Sequence, residues 1–361
     1  MSSMMRLLLI PFMALLVLTG CSNANVIDHI RILTVLGFDK SDSGYTGSAL
    51  YSDYEEKGKI KVLQGKAKQT RVILKEMAFQ SAQPIRIEKL KMLAFSKEVA
   101  GEGLSAFLKT ICRDPLISNY VIMAVFDESL ASVSESLAGK GSQEFPYHLI
   151  EQNMKREMIP YSNLSTVLFD YYGTGRDFSM PYLKLNQKKD IEISGYGIFK
   201  DDRLKFVLNP EEMLYFKLLQ GDAMRGDVPF MIKKGSNEAP AIFTVNYGKQ
   251  SRTVTFNQNE ILVSYSFMLS GMVNEYPEWF ALDVEGNTHS LIQQLEGQIR
   301  SRLLALLNKF VNDKVDPLGM GDLIRSRQRS WNEEKFYEAD YGKIKYDIQF
   351  RTQLSKSGVG E

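Results

Sequence analysis

Continuous and alternating apolar stretches along the chain predict its strands. Residues 30–38 alternate well enough for a strand, and the turn-forming residues 39–47 follow them. Residues 120–126 (YVIMAVF) are apolar throughout, which is typical of a central strand covered on both faces. A short apolar run at 90–95 and a helical pattern precede this stretch, so the order of elements predicts a βαβ unit.

Apolar residues that recur every three or four positions predict the helices. The apolar stripe of the helix inside the βαβ unit consists of Leu104, Phe107, Leu108 and Ile111. It ends at Arg113–Pro115, because the residue before a proline is pushed out of the helical region. The other helices predicted in this half of the chain lie at 68–79, 129–137, 147–158 and 164–172.

The second half of the chain opens with a predicted hairpin, Ile191–Lys200 and Arg203–Leu208, joined by an aspartate turn. Asn209 then caps a helix with Pro210 in its first position, and Glu212 completes a capping-box pattern. Alternation in three later stretches predicts strands of an antiparallel sheet with one solvated side, at 241–247, 261–269 and 342–351.

The longest helical pattern carries an apolar stripe that must be covered. Its members are Leu291, Leu295, Ile299, Leu303, Leu306 and Phe310. The stripe either lies on the antiparallel sheet or belongs to a partner-docking or membrane-surface helix. Because a membrane-surface helix usually has a face rich in Lys and Arg, and the polar face here is mixed, the sequence favours packing on the sheet.

These elements predict an α+β fold of two or three modules: a mixed-sheet N-terminal module, a small hairpin and helix in the middle, and an antiparallel sheet with a long helix. The predicted boundaries are a signal peptide at 1–20, a tether at 21–29, and modules at 30–188, 189–238 and 239–355.

The N-terminus has the pattern of an export signal. Arg6 precedes an apolar run that ends in Thr19-Gly20, immediately before Cys21. This is a bacterial lipobox, so we expect cleavage between Gly20 and Cys21 and lipidation of the Cys21 thiol with diacylglycerol, followed by an amino-terminal acyl chain such as palmitate. A membrane-spanning anchor is disfavoured because the run is far shorter than the ~20 apolar residues a span needs.

Composition limits the partners. The chain has 361 residues with 44 Lys plus Arg and 43 Asp plus Glu. Arg6 leaves with the signal, so the mature chain has no formal net charge and no overall field to collect nucleic acid. Lipidation of Cys21 leaves Cys112 without an intrachain partner for a disulfide, and its place in an apolar helical pattern predicts a buried small side chain.

No catalytic, metal or cofactor pattern stands out, so the sequence predicts no enzyme. The three histidines His29, His148 and His289 are scattered and lack the spacing of a metal site or a triad. The glycine-containing stretches 139–141 and 173–176 lack the full phosphate-loop frame and are interpreted as turns. The basic run 325–329 is followed by glutamates, which favours a solvated, locally balanced surface.

Several motifs together resemble the C-subunit lipoproteins of spore germinant receptors, the Ger(x)C family. They cover nearly the whole chain: Leu18-Thr19-Gly20-Cys21, Lys89-Leu90-Lys91, residues 95–104, Phe107-Leu108, residues 113–117 (RDPLI), residues 197–204 (GIFKDDRL), Trp331, and the last alternating strand ended by Gly358. The chain departs from the family after the lipidated cysteine, where Ser22–Asn25 replaces the usual Trp-Asp.

The resemblance implies a non-enzymatic, lipid-anchored subunit on the outer face of the inner spore membrane. It would work with membrane-spanning A- and B-type receptor subunits to trigger germination, with the nutrient ligand left unassigned. The resemblance assigns no cofactor.

Two other functional classes remain open at this point. A solute-binding lipoprotein that delivers a small nutrient to a transporter usually has two lobes of repeated βα units, unlike the antiparallel pattern here. A lipoprotein hydrolase needs a polar catalytic cluster, and the sequence shows none.

Overall fold

The structure is a computed structural model that describes residues 30–355, except residues 112, 222–223, 258–259 and 283. The predicted signal, Gly20, Cys21 and the tether lie outside the described residues, as do Cys112 and Gly358.

Thirteen strands occur in the described residues. They are β1 Arg31–Ser41, β2 Gly44–Asp53, β3 Lys59–Ala67, β4 Ile85–Arg86, β5 Met92–Ser96, β6 Ile122–Phe126, β7 Ser179–Leu185, β8 Ile191–Lys200, β9 Arg203–Leu208, β10 Gly226–Lys234, β11 Asn237–Asn257, β12 Glu260–Glu275 and β13 Lys345–Leu354.

Ten α-helices accompany these strands in the same part of the chain. They are α1 Thr70–Phe79, α2 Lys97–Glu102, α3 Ser105–Ile111, α4 Leu130–Leu137, α5 Pro146–Lys155, α6 Leu164–Tyr172, α7 Pro210–Gln220, α8 Glu285–Asn312, α9 Met320–Arg325 and α10 Glu333–Lys335. Residues Phe336–Asp340 and Tyr341–Lys343 continue α10 as a π turn and a 3-10 turn. The predicted α+β class is confirmed.

The first sheet is built around the predicted central strand. Its order is β3-β2-β1-β5-β6-β7-β8-β9, with β4 paired to β1. All five residues of β6 are buried, and β6 runs parallel to both β5 and β7. Between β5 and β6 the chain forms α2 and α3, so the predicted βαβ unit is confirmed, with two short helices in place of one.

The range predicted as a middle module, 189–238, is divided between the two sheets. The hairpin β8–β9 continues the first sheet because β8 pairs antiparallel with β7. Strand β10, at the end of the range, pairs with β11 in the second sheet. A two-stranded hairpin alone is marginally stable in water, and joining a larger sheet satisfies one of its edges. The predicted module boundaries remain a prediction.

The second sheet has the order β10-β11-β12-β13. Strands β11 and β12 form the predicted antiparallel pair, with Val263, Tyr265 and Phe267 buried on one face. The sheet corrects the sequence prediction in one respect, since β13 pairs parallel with β12. Alternation gives the buried face of a strand but not its direction, and a parallel neighbour needs a long crossover, which α8 supplies here.

Helix α8 covers the buried face of this sheet, as the sequence predicts. Every member of its apolar stripe is at most 4% exposed, and Leu303 is 0% exposed. The helix also reaches one free edge of the sheet, because Arg300 Nε donates to the carbonyl oxygen of Ile348 in β13 (3.0 Å) and the guanidinium lies over the Phe350 ring. The choice between packing and docking is therefore settled in favour of packing.

Two glutamines of α8 cover the opposite edge of the sheet, on β10. Gln298 Oε1 accepts from the Met231 amide (2.9 Å), and its Nε2 donates to the Met231 carbonyl (2.7 Å). One helical turn earlier, Gln294 makes the same pair of bonds with Lys233 (2.7 and 3.0 Å). Each carboxamide stands where the backbone of another strand would pair, so this part of the edge is closed to other chains.

Changing Leu303 to Asp should lower the free energy of unfolding by about 4 kcal/mol, because an unpaired charge would enter the core. Denaturant unfolding monitored by circular dichroism measures it. Ser301→Asp is the control, because it adds the same charge to the same helix at an exposed position. Equal stabilities of the two variants would contradict the packing of α8.

Changing both Gln294 and Gln298 to Ala should cost about 1 kcal/mol for each glutamine removed and should open the β10 edge. We expect concentration-dependent self-association in sedimentation velocity, because an unprotected edge templates strand pairing. Gln293→Ala is the control, since Gln293 bonds only to His289 of its own helix. A double variant that stays monomeric would show that the glutamines do not protect the edge.

Candidate functional site at the junction of the two sheets

The two sheets are joined by a loop and a turn that touch through their backbones. The loop precedes β7 and the turn precedes α9. Gly175 O accepts from the Asp322 amide (2.9 Å), and Asp316 O accepts from the Asp177 amide (2.9 Å). Gly175 has φ +79°, and a Cβ there would lie 2.5 Å from the Asp322 nitrogen. The sequence requires glycine at this position because only glycine allows both the conformation and the contact.

Asp316 lies at the centre of the junction and is 0% exposed. Its Oδ1 accepts from the Met320 amide (2.8 Å), while Oδ2 accepts from the Gly321 amide (2.7 Å) and the Tyr337 hydroxyl (2.9 Å). Burial raises the pKa of Asp316 to about 6, even though these hydrogen bonds act to lower it. Asp316-Pro317 has the pattern of a helix start, but Asp316 instead holds a turn, and α9 begins only at Met320.

Asp177 is the partner of Asp316 from the first sheet. Its Oδ2 accepts from the Asp316 amide (2.7 Å), and its Oδ1 accepts from the Asp201 amide (3.1 Å). Lys200 Nζ lies 3.4 Å from this carboxylate and 4.8 Å from the centre of the Tyr337 ring. Burial raises the pKa of Asp177 while the Lys200 charge opposes that rise. One carboxylate thus binds backbone from both halves of the chain.

Arg176 completes the junction with charge. Its guanidinium pairs with Asp322 of α9 and with Asp170 of α6 (3.4 Å), and it lies over the Phe169 ring at 4.3 Å. Burial raises the pKa of Asp170 to about 6, because a single shared arginine does not compensate its desolvation. Nearby, the Gly175 amide donates to Glu333 Oε1 (2.8 Å). The guanidinium is therefore an ion-pair bridge between the halves.

Helix α7 makes a second link through a buried cation. Lys217 is 2% exposed, and its ammonium group donates to the carbonyl oxygens of Glu157 (2.8 Å) and Arg225. Burial lowers the pKa of Lys217 to about 8. Since Arg225 immediately precedes β10, this lysine ties the loop after α5 to the entrance of the second sheet.

A cleft of about 450 Å³ opens beside the junction. It is lined by Asp170, Tyr171, Tyr172, Gly173, Arg176, Asp177, Lys200, Asp201, Glu333 and Tyr337. Its buried carboxylates accept from backbone amides or pair with cations, and the hydroxyl of its Tyr337 donates to Asp316, the carboxylate that also holds the turn before α9. The arrangement is suited to holding the two halves in a fixed relation.

The remaining candidates from the sequence are not brought together. His148 on α5 and His289 on α8 are exposed. Within the described ranges no group of three or more His, Cys, Asp and Glu residues could hold a metal, and no helix is long and apolar enough to cross a membrane. In the basic run, Arg325 pairs with Asp322 (2.6 Å).

Before the fold is known, little in the sequence indicates that the junction residues meet. The stretch 173–176 is a turn, as predicted, but its contact with α9 comes from a segment more than a hundred residues later. Gly175 and Gly321 are packed against each other, with a Cβ on Gly321 only 2.8 Å from the Gly175 Cα. Paired glycines beside aspartates in the two segments are the only local hint.

Comparisons with known proteins place the chain among spore germination proteins. The family model described as "Spore germination protein N-terminal domain" matches residues 23–185, and the model described as "Spore germination B3/ GerAC like, C-terminal" matches residues 194–358. Spore germination protein GerQC of Bacillus cereus is 23% identical over 351 residues, which cover 95% of this chain and 96% of the relative.

The crystal structure of the GerBC protein has the same fold. The match has a TM-score of 0.57 at 15% sequence identity and covers 88% of this chain and 96% of that chain.

The buried carboxylate Asp316 should make stability depend on pH. Its pKa of about 6 in the folded protein exceeds the ordinary aspartate value of 3.8, so the folded state binds the proton more tightly. The contribution of this proton to the free energy of unfolding is fully present below about pH 4 and is lost as the pH rises through 6. The total loss is about 3 kcal/mol.

Asp316→Asn should flatten the dependence of unfolding free energy on pH between 4 and 7, whatever its effect on absolute stability. Denaturant unfolding at several pH values measures the slope. Glu334→Gln, at an exposed carboxyl, is the control. An unchanged slope in Asp316→Asn would show that Asp316 does not titrate in this range.

Proposed function

The chain belongs to the spore germination family whose N-terminal and C-terminal domain models match it, and we propose that it is the lipid-anchored C-type subunit of a nutrient germinant receptor. In this role it works with membrane-spanning A- and B-type subunits to trigger germination. The observation that carries the proposal is that both domain models match in order and together span most of the chain.

The likeness to GerQC supports the same role over nearly the full length of both proteins. A relative that matched one domain alone would be compatible with reuse of that domain in another context. Here both halves are present, and the junction around Asp316 fixes them in one arrangement. We therefore assign the receptor role to the whole chain.

The lipobox supports the attachment to membrane. The Cys21 thiol takes the diacylglycerol, and cleavage before Cys21 frees the α-amino group that takes a further acyl chain. Each buried methylene contributes ~0.8 kcal/mol, so two or more acyl chains hold a protein on a bilayer almost permanently. Together with the family, this anchor supports our proposal that the subunit lies on the outer face of the inner spore membrane.

An interaction role, without catalysis, fits the junction. Its ionisable groups are used to join the halves: Asp316 and Asp177 bind backbone amides, and Arg176 bridges two aspartates. The subunit would thus present a rigid surface to its membrane partners. The solute-binding alternative requires that the isolated chain bind a nutrient, and a thermal shift with amino acids or sugars in the absence of partner subunits would favour it.

Changing Cys21 to Ala should abolish lipidation and release the protein from membranes, since the thioether can form only at the cysteine after the cleavage site. We expect the germination response to fall because the local concentration at the membrane is lost, with the melting temperature unchanged. Fractionation after a high-salt wash and a nutrient germination assay measure the two effects.

Cys112→Ala is the control, and it should leave both lipidation and fractionation unchanged. A Cys21→Ala protein that still fractionates with membranes after the wash would contradict the anchor. A protein that is released but supports normal germination would contradict the need for it.

A further inference from the structure

The described chain begins at one end of the first sheet, and three segments meet there. We call this end, formed by residues 30–33, 53–61 and 84–91, the entry end. The Arg31 amide donates to Pro84 O (2.9 Å), and the Lys91 amide donates to Thr34 O (2.9 Å). A cleft of about 410 Å³ is lined by residues of the first two segments, Ile30 and Tyr54 among them, and by Gln83, which directly precedes the third.

The entry end is basic although the mature chain is neutral. Its three segments contain seven basic residues and four acidic ones. The basic residues are Arg31, Lys57, Lys59, Lys61, Arg86, Lys89 and Lys91, and the acidic residues are Asp53, Glu55, Glu56 and Glu88. The formal charge of the entry end is thus +3.

Half of the acidic groups at this end are already engaged. Asp53 Oδ1 accepts from the Glu55 amide (3.0 Å), and Glu56 pairs with Lys61 (2.6 Å). In contrast, four exposed lysines, Lys57, Lys59, Lys89 and Lys91, form no ion pair with any other described residue. Their ammonium groups are free to meet anions from outside the protein.

The distance to the proposed anchor places these lysines near the bilayer. Cys21 precedes Ile30 by nine positions, and a chain of that length spans at most about 30 Å when fully extended. The entry end is therefore the part of the described structure that the anchor constrains most tightly. Tyr54, which is 61% exposed beside Ile30, has the ring and hydroxyl that favour a membrane interface.

We propose that the entry end docks on anionic lipid headgroups and so fixes the orientation of the subunit on its membrane. The inference rests on the proposed lipid anchor, which supplies the proximity. Basic residues close to a negatively charged leaflet are attracted within a Debye length of it. The opposite end of the first sheet, where β1 and β5 end, then faces away from the bilayer.

Lysine footprinting of the lipidated full chain tests this orientation. The protein is bound to vesicles of phosphatidylcholine alone or of phosphatidylcholine with phosphatidylglycerol, and amines are acetylated briefly and quantified by mass spectrometry. Compared with protein in detergent, acetylation of Lys57, Lys59, Lys89 and Lys91 should slow several-fold on the anionic vesicles and less on the neutral ones.

Four lysines outside the entry end provide the reference, and their acetylation rates should be the same in all conditions. They are Lys205, Lys249, Lys314 and Lys335, which are exposed and form no ion pair within the described structure. We also expect anionic vesicles to slow hydrogen exchange of the Tyr54 amide. Changing the four entry-end lysines to Glu should leave flotation with vesicles intact and should remove this slowing. The same change at the four reference lysines should leave both the flotation and the effect of anionic lipid unchanged.

The outcomes separate the docking from the anchor. A chain that floats with vesicles after a high-salt wash but shows equal acetylation at both lysine sets overturns the docking alone. A chain that does not float after the wash overturns the anchor. In that case the chain can still bind anionic vesicles in low salt. If this binding is lost when the entry-end lysines are changed to Glu, it supports the docking; if there is no such binding, the docking is overturned.

Discussion

The exchange of hydrogen bonds between Asp177 and Asp316 determines how the two halves of the molecule sit together. Each residue binds the other through a backbone amide, and each carboxylate then holds further amides of its own half. Buried carboxylates are costly unless their oxygens are satisfied. Separation of the halves would break both bonds between the two residues and leave their backbone amides without these acceptors, so the junction keeps a fixed geometry and the two sheets behave as parts of one surface.

Local pattern identified most elements because burial and capping are encoded over a few residues. The central strand β6 was recognisable from its unbroken apolar run, and the capping box of α7 is present as predicted, with Asn209 Oδ1 accepting from the Glu212 amide (2.9 Å). Strand β10 was missed although Val228, Phe230 and Ile232 alternate inward. Its proline and flanking lysines hide that alternation.

Contacts between segments that are far apart in the sequence could not be predicted from local patterns. Nothing near Asp316 indicates that its amide meets Asp177, and an Asp-Pro pair is an ordinary helix start. The direction of β13 likewise depends on the crossover through α8. The predicted lipid site at Cys21 is the opposite case, since its pattern consists of contiguous residues and its prediction needs no fold.

The parallel pairing of β13 has a consequence for the order in which the protein acquires its structure. β13 joins β12 from Leu262 to Gly271, but only after α8 and the junction segment have been made. Contacts between residues so far apart in sequence form late and slowly. A chain synthesised from its N-terminus therefore has an incomplete second sheet until its last strand is available. During that interval the Arg300 bond to Ile348 cannot form, and β12 presents an unpaired edge of the kind on which other strands pair.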